Sequence, residues 1–267
     1  MTWALDSGRE LLSHPAEDGR DEKPLWDHLT GVSERAADLI EGDLSDIERL
    51  VGLAHDFPKA TPAFQRHVRD EDPDGPKHHA RLAALVAYFF LEQNDYSRDV
   101  RLAGMLAVAK HHGNVPDTAA YIRRTIKNPN TGGSDSDTTI QAIKQTEEIE
   151  SHASPFASHV FREAVGEGAW KAFLDRLGTK SDSPLLGEIC EDAGEHRGLK
   201  PTVSINPDHF SESFYTTFLV LFGGLTLADK TDAAGIDDDD DRLNGEKPDI
   251  SNLESYLSHL GGDEGNE

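Results

Sequence analysis

The sequence predicts an all-α fold, and three observations carry that prediction. Apolar residues recur at helical spacing along most of the chain, few stretches alternate as a strand would, and the intervening segments are rich in Gly, Pro, Asn, Asp and Ser. The periodic segments cover residues 24–41, 46–56, 78–92, 99–111, 117–126, 138–150, 155–164, 167–177, 184–194 and 208–230.

Each segment has its own signature. In "LWDHLTGVSERAADLI" the stripe Leu25, Val32, Ala36, Leu39 forms a buried face, and His28 falls on it four residues before Val32. A buried imidazole requires a partner. The second segment stops at His55 and Asp56, after which "FPKATPAFQ" reads as a loop with two prolines. The third, "KHHARLAALVAYFFLEQ", opens with His78 and His79. The fourth, "RLAGMLAVAKHHG", closes on His111 and His112, with Gly113 placed as a C-terminal cap. Loops follow at "NPNTGGSDSD", "GTKSDSP" and "GLKPTVSINP". The most hydrophobic segment ends in "LADKTDAAG", where Asp229 stands near a helix C-terminus that disfavours an unpaired anion.

A chain of 267 residues can bury a substantial core. One domain over 1–235 is expected, followed at 236–267 by an acidic linker with five consecutive aspartates and a short amphipathic piece, "ISNLESYLSHL". Fifty acidic residues against 26 basic give a formal charge of −24. Such a field ordinarily repels nucleic acid. Spread over the whole surface, however, it is the balance of a protein kept soluble in concentrated salt, where screening shortens its reach. A halophile-like composition is therefore expected, and the acidity says nothing about the substrate. The single cysteine, Cys190, excludes an internal disulfide and a Cys-based zinc site. "MTWALDSGRE" lacks the marks of a signal peptide, and "FYTTFLVLFGGLTLA" is too short and glycine-interrupted to span a bilayer. A cytoplasmic protein with no membrane partner is expected.

Thirteen histidines supply candidate ligands. A carboxylate can bridge two cations through its two oxygens, whereas an imidazole binds one, so adjacent His55 and Asp56 suit a dinuclear centre. Two neighbouring imidazoles at a helix terminus, His111 and His112, can converge on one ion.

The ordered set His28, His55–Asp56, His79, His111–His112 and Asp229 on five separate helices resembles the HD superfamily of metal-dependent phosphohydrolases. More narrowly it resembles the HD nuclease of type I CRISPR interference, over roughly residues 20–235. "LAHDFPKATPAFQ" is similar to that family's HD pair followed by a lysine, here Lys59, and by Phe64–Gln65. "LWDHLTGVSERAA" resembles the preceding helix, "HHARLAA" the third motif, "KHHG" the paired histidines and "LADKTDAAG" the closing helix. Pro58 stands where the family usually has glycine, Ala83 where it has serine, and the register selects His79 over His78.

The resemblance implies a helical bundle around a buried dinuclear site. His28, His55, Asp56 and Asp229 would hold one ion, and Asp56, His79, His111 and His112 the other, with Asp56 bridging. Lys59 would offset charge at the scissile phosphate. Mixed imidazole and carboxylate ligation suits two divalent Mn, Fe, Co or Ni ions better than Mg. The implied reaction is endonucleolytic cleavage of single-stranded DNA, with a helicase on a separate chain and a crRNA-guided surveillance complex as partners. Arg123, Arg124 and Lys127 in "YIRRTIKN" are candidate guides for the strand. Two other readings use the same fold, a phosphohydrolase acting on nucleotides and a non-catalytic subunit of a surveillance complex. The run from Lys59 to Gln65 and the loop-rich stretch between 113 and 200 favour the nuclease, and a complete ligand set argues against a non-catalytic role.

Overall fold

The computed structural model describes residues 3–5, 8–16, 21–40, 42, 44–72, 79–113, 135–179, 182–193 and 210–236. Two short antiparallel strands, β1 (Leu12–His14) and β2 (Lys23–Pro24), precede α1 (Leu25–Leu39) and α2 (Leu44–Ala54). A 3-10 turn at Phe57–Ala60 leads into α3 (Pro62–His67), then α4 (Ala80–Gln93) and α5 (Arg98–Lys110). Helices α6 (Asp135–Ala164), α7 (Ala169–Leu177), α8 (Pro184–Asp192) and α9 (Glu212–Ala233) follow. Among the described residues the fold is all-α apart from the small sheet.

Helix α4 explains the centre of the bundle. Its run from Leu82 to Leu91 carries no charged residue and is buried on every side, as a helix apolar all round must be. It packs on α5, and α5 packs on α9, which in turn lies against α1; α1 and α2 form the other close pair. The backbones of α1 and α2 meet at Gly52, where a Cβ would lie 2.5 Å from Ser33 Cα and 2.8 Å from Ser33 N. Ser33 Oγ crosses the same contact to donate to Arg49 O at 2.8 Å. This approach fixes where the end of α2 emerges relative to the first turn of α1. Phe57, immediately after Asp56, is fully buried and meets Phe161 and Trp170 at ring-centroid distances of 5.4 and 5.8 Å, so aromatic packing anchors the end of α2 from the other side.

The two helices expected at 138–150 and 155–164 are both present within α6 and meet at the non-helical Ala153 (φ −143°, ψ 24°), two residues ahead of Pro155, whose ring and missing N–H interrupt the helical ladder. The loop expected after Asp56 is largely helical: Pro62 occupies the first turn of α3, and Thr61 Oγ1 caps it by accepting from Phe64 N at 3.3 Å. The strands are too short to leave a readable alternation. The expected helix 117–126 with Arg123 and Arg124, together with Lys127, His78 and everything from 237 onward, lies outside the described residues. Among the described residues no helix is long and apolar enough to cross a membrane.

Glu48 is fully buried on α2, and neither oxygen has a hydrogen-bond partner among the described residues. Gly224 of α9 makes room for it, since a Cβ there would overlap Oε1. Burial raises the carboxyl well above its ordinary value of 4.5. The native state therefore keeps a proton that the unfolded chain releases above that pH, and stability falls as pH rises. Glu48→Gln is expected to leave stability little changed at pH 4 and to raise it at pH 8 by at least about 1.4 kcal/mol, the worth of one pKa unit, in denaturant unfolding. Gly52→Ala is expected to cost about 1–3 kcal/mol in the same assay, because its methyl meets backbone that cannot give way.

Candidate metal centre

Five helix ends converge on one place. His28 lies in the first turn of α1, and His79 is the residue just before α4. His55 and Asp56 directly follow α2, His111 and His112 follow α5, and Asp229 sits in the last turns of α9. Three of the ends are C-terminal, where the helix dipole favours a cation. Leaving the helix after Ala54 also frees Asp56 from helical geometry (φ −117°, ψ 8°).

Asp56 stands at the middle, fully buried. Its Oδ2 lies 3.2 Å from His28 Nε2 and 3.4 Å from His55 Nε2. Its Oδ1 lies 3.1 Å from His79 Nε2 and 3.6 Å from His111 Nε2. Asp229 Oδ1 closes the first side, 3.4 Å from His28 Nε2 and 3.5 Å from His55 Nε2. His112 closes the second, with Nε2 2.9 Å from His79 Nε2. The structure thus brings His28, His55, Asp56 and Asp229 into one group and Asp56, His79, His111 and His112 into another, the donor atoms of each lying within 4.8 Å of one another.

The donor set fits a metal. His55 Nδ1 lies 2.7 Å from Gly52 O and His111 Nδ1 lies 2.6 Å from Val108 O. A carbonyl only accepts, so each ring carries a proton on Nδ1 and presents Nε2 to the group. Yet among the described residues Nε2 of both rings and Oδ1 of Asp56 are buried without a hydrogen bond of their own. Such orphaned groups cost about 1–3 kcal/mol each, and cations between them would satisfy all three.

The titration behaviour points the same way. Burial opposes charge on His28, but hydrogen bonds to Asp229, Asp232 and Asp56 outweigh it and raise the pKa to about 10. His55 is raised against its own burial by Asp56 and Asp229. Burial also pushes Asp56 and Asp229 up, but Lys59 and His55 hold Asp56, and His28 and His55 hold Asp229, below the usual carboxylate range. The site collects positive charge where imidazole and carboxylate meet. His112, the most exposed of the seven, is lowered to about 4, first by partial burial and then by His111.

Lys59 is only 5% exposed, and its Nζ lies 2.6 Å from Asp56 Oδ2 and 3.4 Å from Ser13 O. The neighbouring Gln65 clamps β1: Oε1 accepts from Leu12 N at 3.0 Å, while Nε2 donates to Leu12 O and to Lys59 O, both at 2.8 Å. The lysine and glutamine of "LAHDFPKATPAFQ" therefore tie the strand to the site. That strand carries His14, which sequence reasoning missed. Its ring lies edge-on to His28, centroids 4.9 Å apart, and burial followed by the Lys59 charge lowers its pKa to about 4. Ser13 Oγ donates its single proton to Lys23 O at 3.2 Å, so His14 Nδ1, 3.1 Å away, is the donor to that hydroxyl. Asp232 was missed as well: it lies 2.7 Å from His28 Nδ1, and its only sequence signal is the three-residue spacing from Asp229 that puts both on one helical face. Arg123, Arg124 and Lys127 lie outside the described residues.

Comparison with known proteins places this geometry in context. The family described as "Cas3, HD domain" matches residues 13–177. The chain is 33% identical over 94% of its length to the CRISPR-associated nuclease/helicase Cas3 of Haloferax volcanii, of which it spans 27%. No solved structure matches significantly.

The shifts above set the pH dependence of the metal-free protein. His28 and His55 have folded pKa values raised above 6.5, so their contribution is present below that pH and is lost as pH rises, for His28 through about 10. Asp56, Asp229 and Asp232 have lowered values, so their contribution is present above 3.8 and is lost as pH falls below it. His14 and His112, lowered to about 4, act in the other direction, since the folded state disfavours their charged rings and stability is lost as pH falls from 6.5 toward 4. In the Glu48→Gln background, thermal unfolding of metal-free protein is therefore expected to peak near pH 6.5 and decline on both sides. Saturating divalent metal should flatten the alkaline limb, because the ion takes the place of the imidazole protons.

Proposed function

Because the chain belongs to the Cas3 HD-domain family, we propose that it is a metal-dependent phosphodiesterase that cuts single-stranded DNA in CRISPR interference. A separate helicase would deliver the strand, a crRNA-guided surveillance complex would mark the target, and the setting would be a salt-rich cytoplasm, to which the charge of −24 is suited. The observation that carries the reading is the sharing of Asp56, each of whose oxygens faces a different group of imidazoles.

In this reading His28, His55, Asp56 and Asp229 hold one divalent transition-metal ion, and Asp56, His79, His111 and His112 hold a second. Such ions activate water and stabilise the attacking and leaving oxygens of a phosphoryl displacement. The chain's own residues do the rest. Gly52 O and Val108 O fix the tautomers of His55 and His111, and the aromatic wall behind Phe57 keeps water from the rear of the site. Lys59, already seated on the Asp56 carboxylate that the two groups share, is placed to offset charge at a phosphate. Local positive charge at the centre also relieves the repulsion an acidic surface imposes on DNA.

The test is cleavage of labelled single-stranded DNA in high salt with manganese, nickel, cobalt, magnesium or EDTA. Wild type is expected to cut with a transition metal and not with EDTA, and Asp56→Ala to lose cutting. Removing Asp56 also strands the buried Lys59, at about 3–5 kcal/mol, so Asp229→Asn, which touches one group only, serves as the milder variant and is expected to lower the rate while keeping the helical circular dichroism. Retained cleavage in Asp56→Ala would sink the two-group assignment, and hydrolysis of mononucleotides in place of DNA would move the protein to the nucleotide phosphohydrolases.

A further inference from the structure

The histidines of the centre are not backed alike. His55 and His111 send Nδ1–H to neutral backbone carbonyls, whereas His28 Nδ1 lies 2.7 Å from a carboxylate, Oδ2 of Asp232. Both partners are buried, with side-chain exposures of 0% and 3%. The other oxygen of Asp232 is held by Lys23 Nζ at 3.1 Å and faces Arg35 Nε at 3.6 Å. Two cations thus keep the carboxylate ionised and prevent it from turning inward, and Asp232 belongs to neither group of candidate ligands. Room for it is built into α1: a Cβ at Gly31 would lie 2.5 Å from Asp232 Oδ1, so this turn tolerates no side chain while Asp232 stays in place.

From this arrangement we propose that Asp232 is a positioning residue. It fixes the Nδ1–H tautomer of His28, aims Nε2 at the space shared with Asp56 and Asp229, and makes the His28 half of the centre the tighter of its two metal positions. The inference rests on the metal-centre reading above. Two independent features favour it. A hydrogen bond from the outer nitrogen to a carboxylate makes an imidazole a stronger ligand, and losing such a partner typically weakens metal binding 10–100-fold. The His28 group is also buried throughout, whereas the other includes half-buried His79 and exposed His112.

A purely structural role is the competing account, because Lys23 and Asp232 also join β2 to α9. Four proteins separate the two accounts: wild type, Asp232→Asn, Lys23→Met and Gly31→Ala. Each is freed of metal, checked by thermal unfolding, and titrated with Mn2+ in high salt by calorimetry. Asp232→Asn keeps the size and an acceptor oxygen but loses the charge, and it is expected to weaken the tighter step about 10–100-fold while leaving the weaker one in place. Gly31→Ala, which displaces the carboxylate, should weaken the same step. Lys23→Met, which cuts the staple and spares the contact with His28, should change it less than Asp232→Asn does. Unchanged affinities in Asp232→Asn, a loss confined to the weaker step, or equal losses in Asp232→Asn and Lys23→Met that follow their loss of thermal stability would each overturn the proposal. Wild-type protein that takes up no ion would overturn the metal-centre reading itself, a failure visible before any variant is compared.

Discussion

A fully buried carboxylate is the constraint around which this molecule is arranged. Removing Asp56 from water costs several kcal/mol unless positive charge meets it at close range. The fold supplies that charge from four directions, with Lys59 from the following turn and imidazoles from α1, α4 and α5. The end of α2 is fixed from two sides to make this possible, by the Gly52–Ser33 backbone contact and by Phe57 in the aromatic core. The bundle is less a scaffold to which a site was added than a way of holding helix ends at one point.

The supporting shell follows the same logic. Backbone carbonyls at the C-terminal ends of α2 and α5 orient His55 and His111, so the helices that carry these candidate ligands also set their tautomers. The opposite face is closed by β1, a strand with little pairing of its own, which Gln65 holds through the peptide groups of Leu12. The resulting site is asymmetric, buried toward His28 and open toward His112. Among the described residues, the His112 side is therefore the one that solvent reaches.

Much of this was legible in the sequence because it depends on patterns that survive in one dimension. Helical periodicity marks α1, α2, α4, α5 and α9, and residues at helix ends are visible wherever an apolar run stops, as at His55 and His111. What was not legible depends on contact between distant segments. His14 sits in a three-residue strand with no period to betray it, and its place beside His28 comes from the clamp formed by Gln65, 53 positions from Leu12. Asp232 is a second aspartate on a helix face whose first aspartate already had a reading, and only the approach of α1 at Gly31 distinguishes it from a solvated charge. The break ahead of Pro155, by contrast, was legible, because a proline interrupts the helical ladder whatever surrounds it, and α6 does leave helical geometry at Ala153.

The account stands on Asp56 serving two cations at once. Anomalous X-ray scattering from crystals soaked in manganese or nickel tests that most directly. Two peaks are predicted, one at each oxygen of Asp56, the first also touching His28, His55 and Asp229 and the second His79, His111 and His112. Peaks that avoid Asp56, or a metal-soaked crystal with none in this cluster, would contradict it.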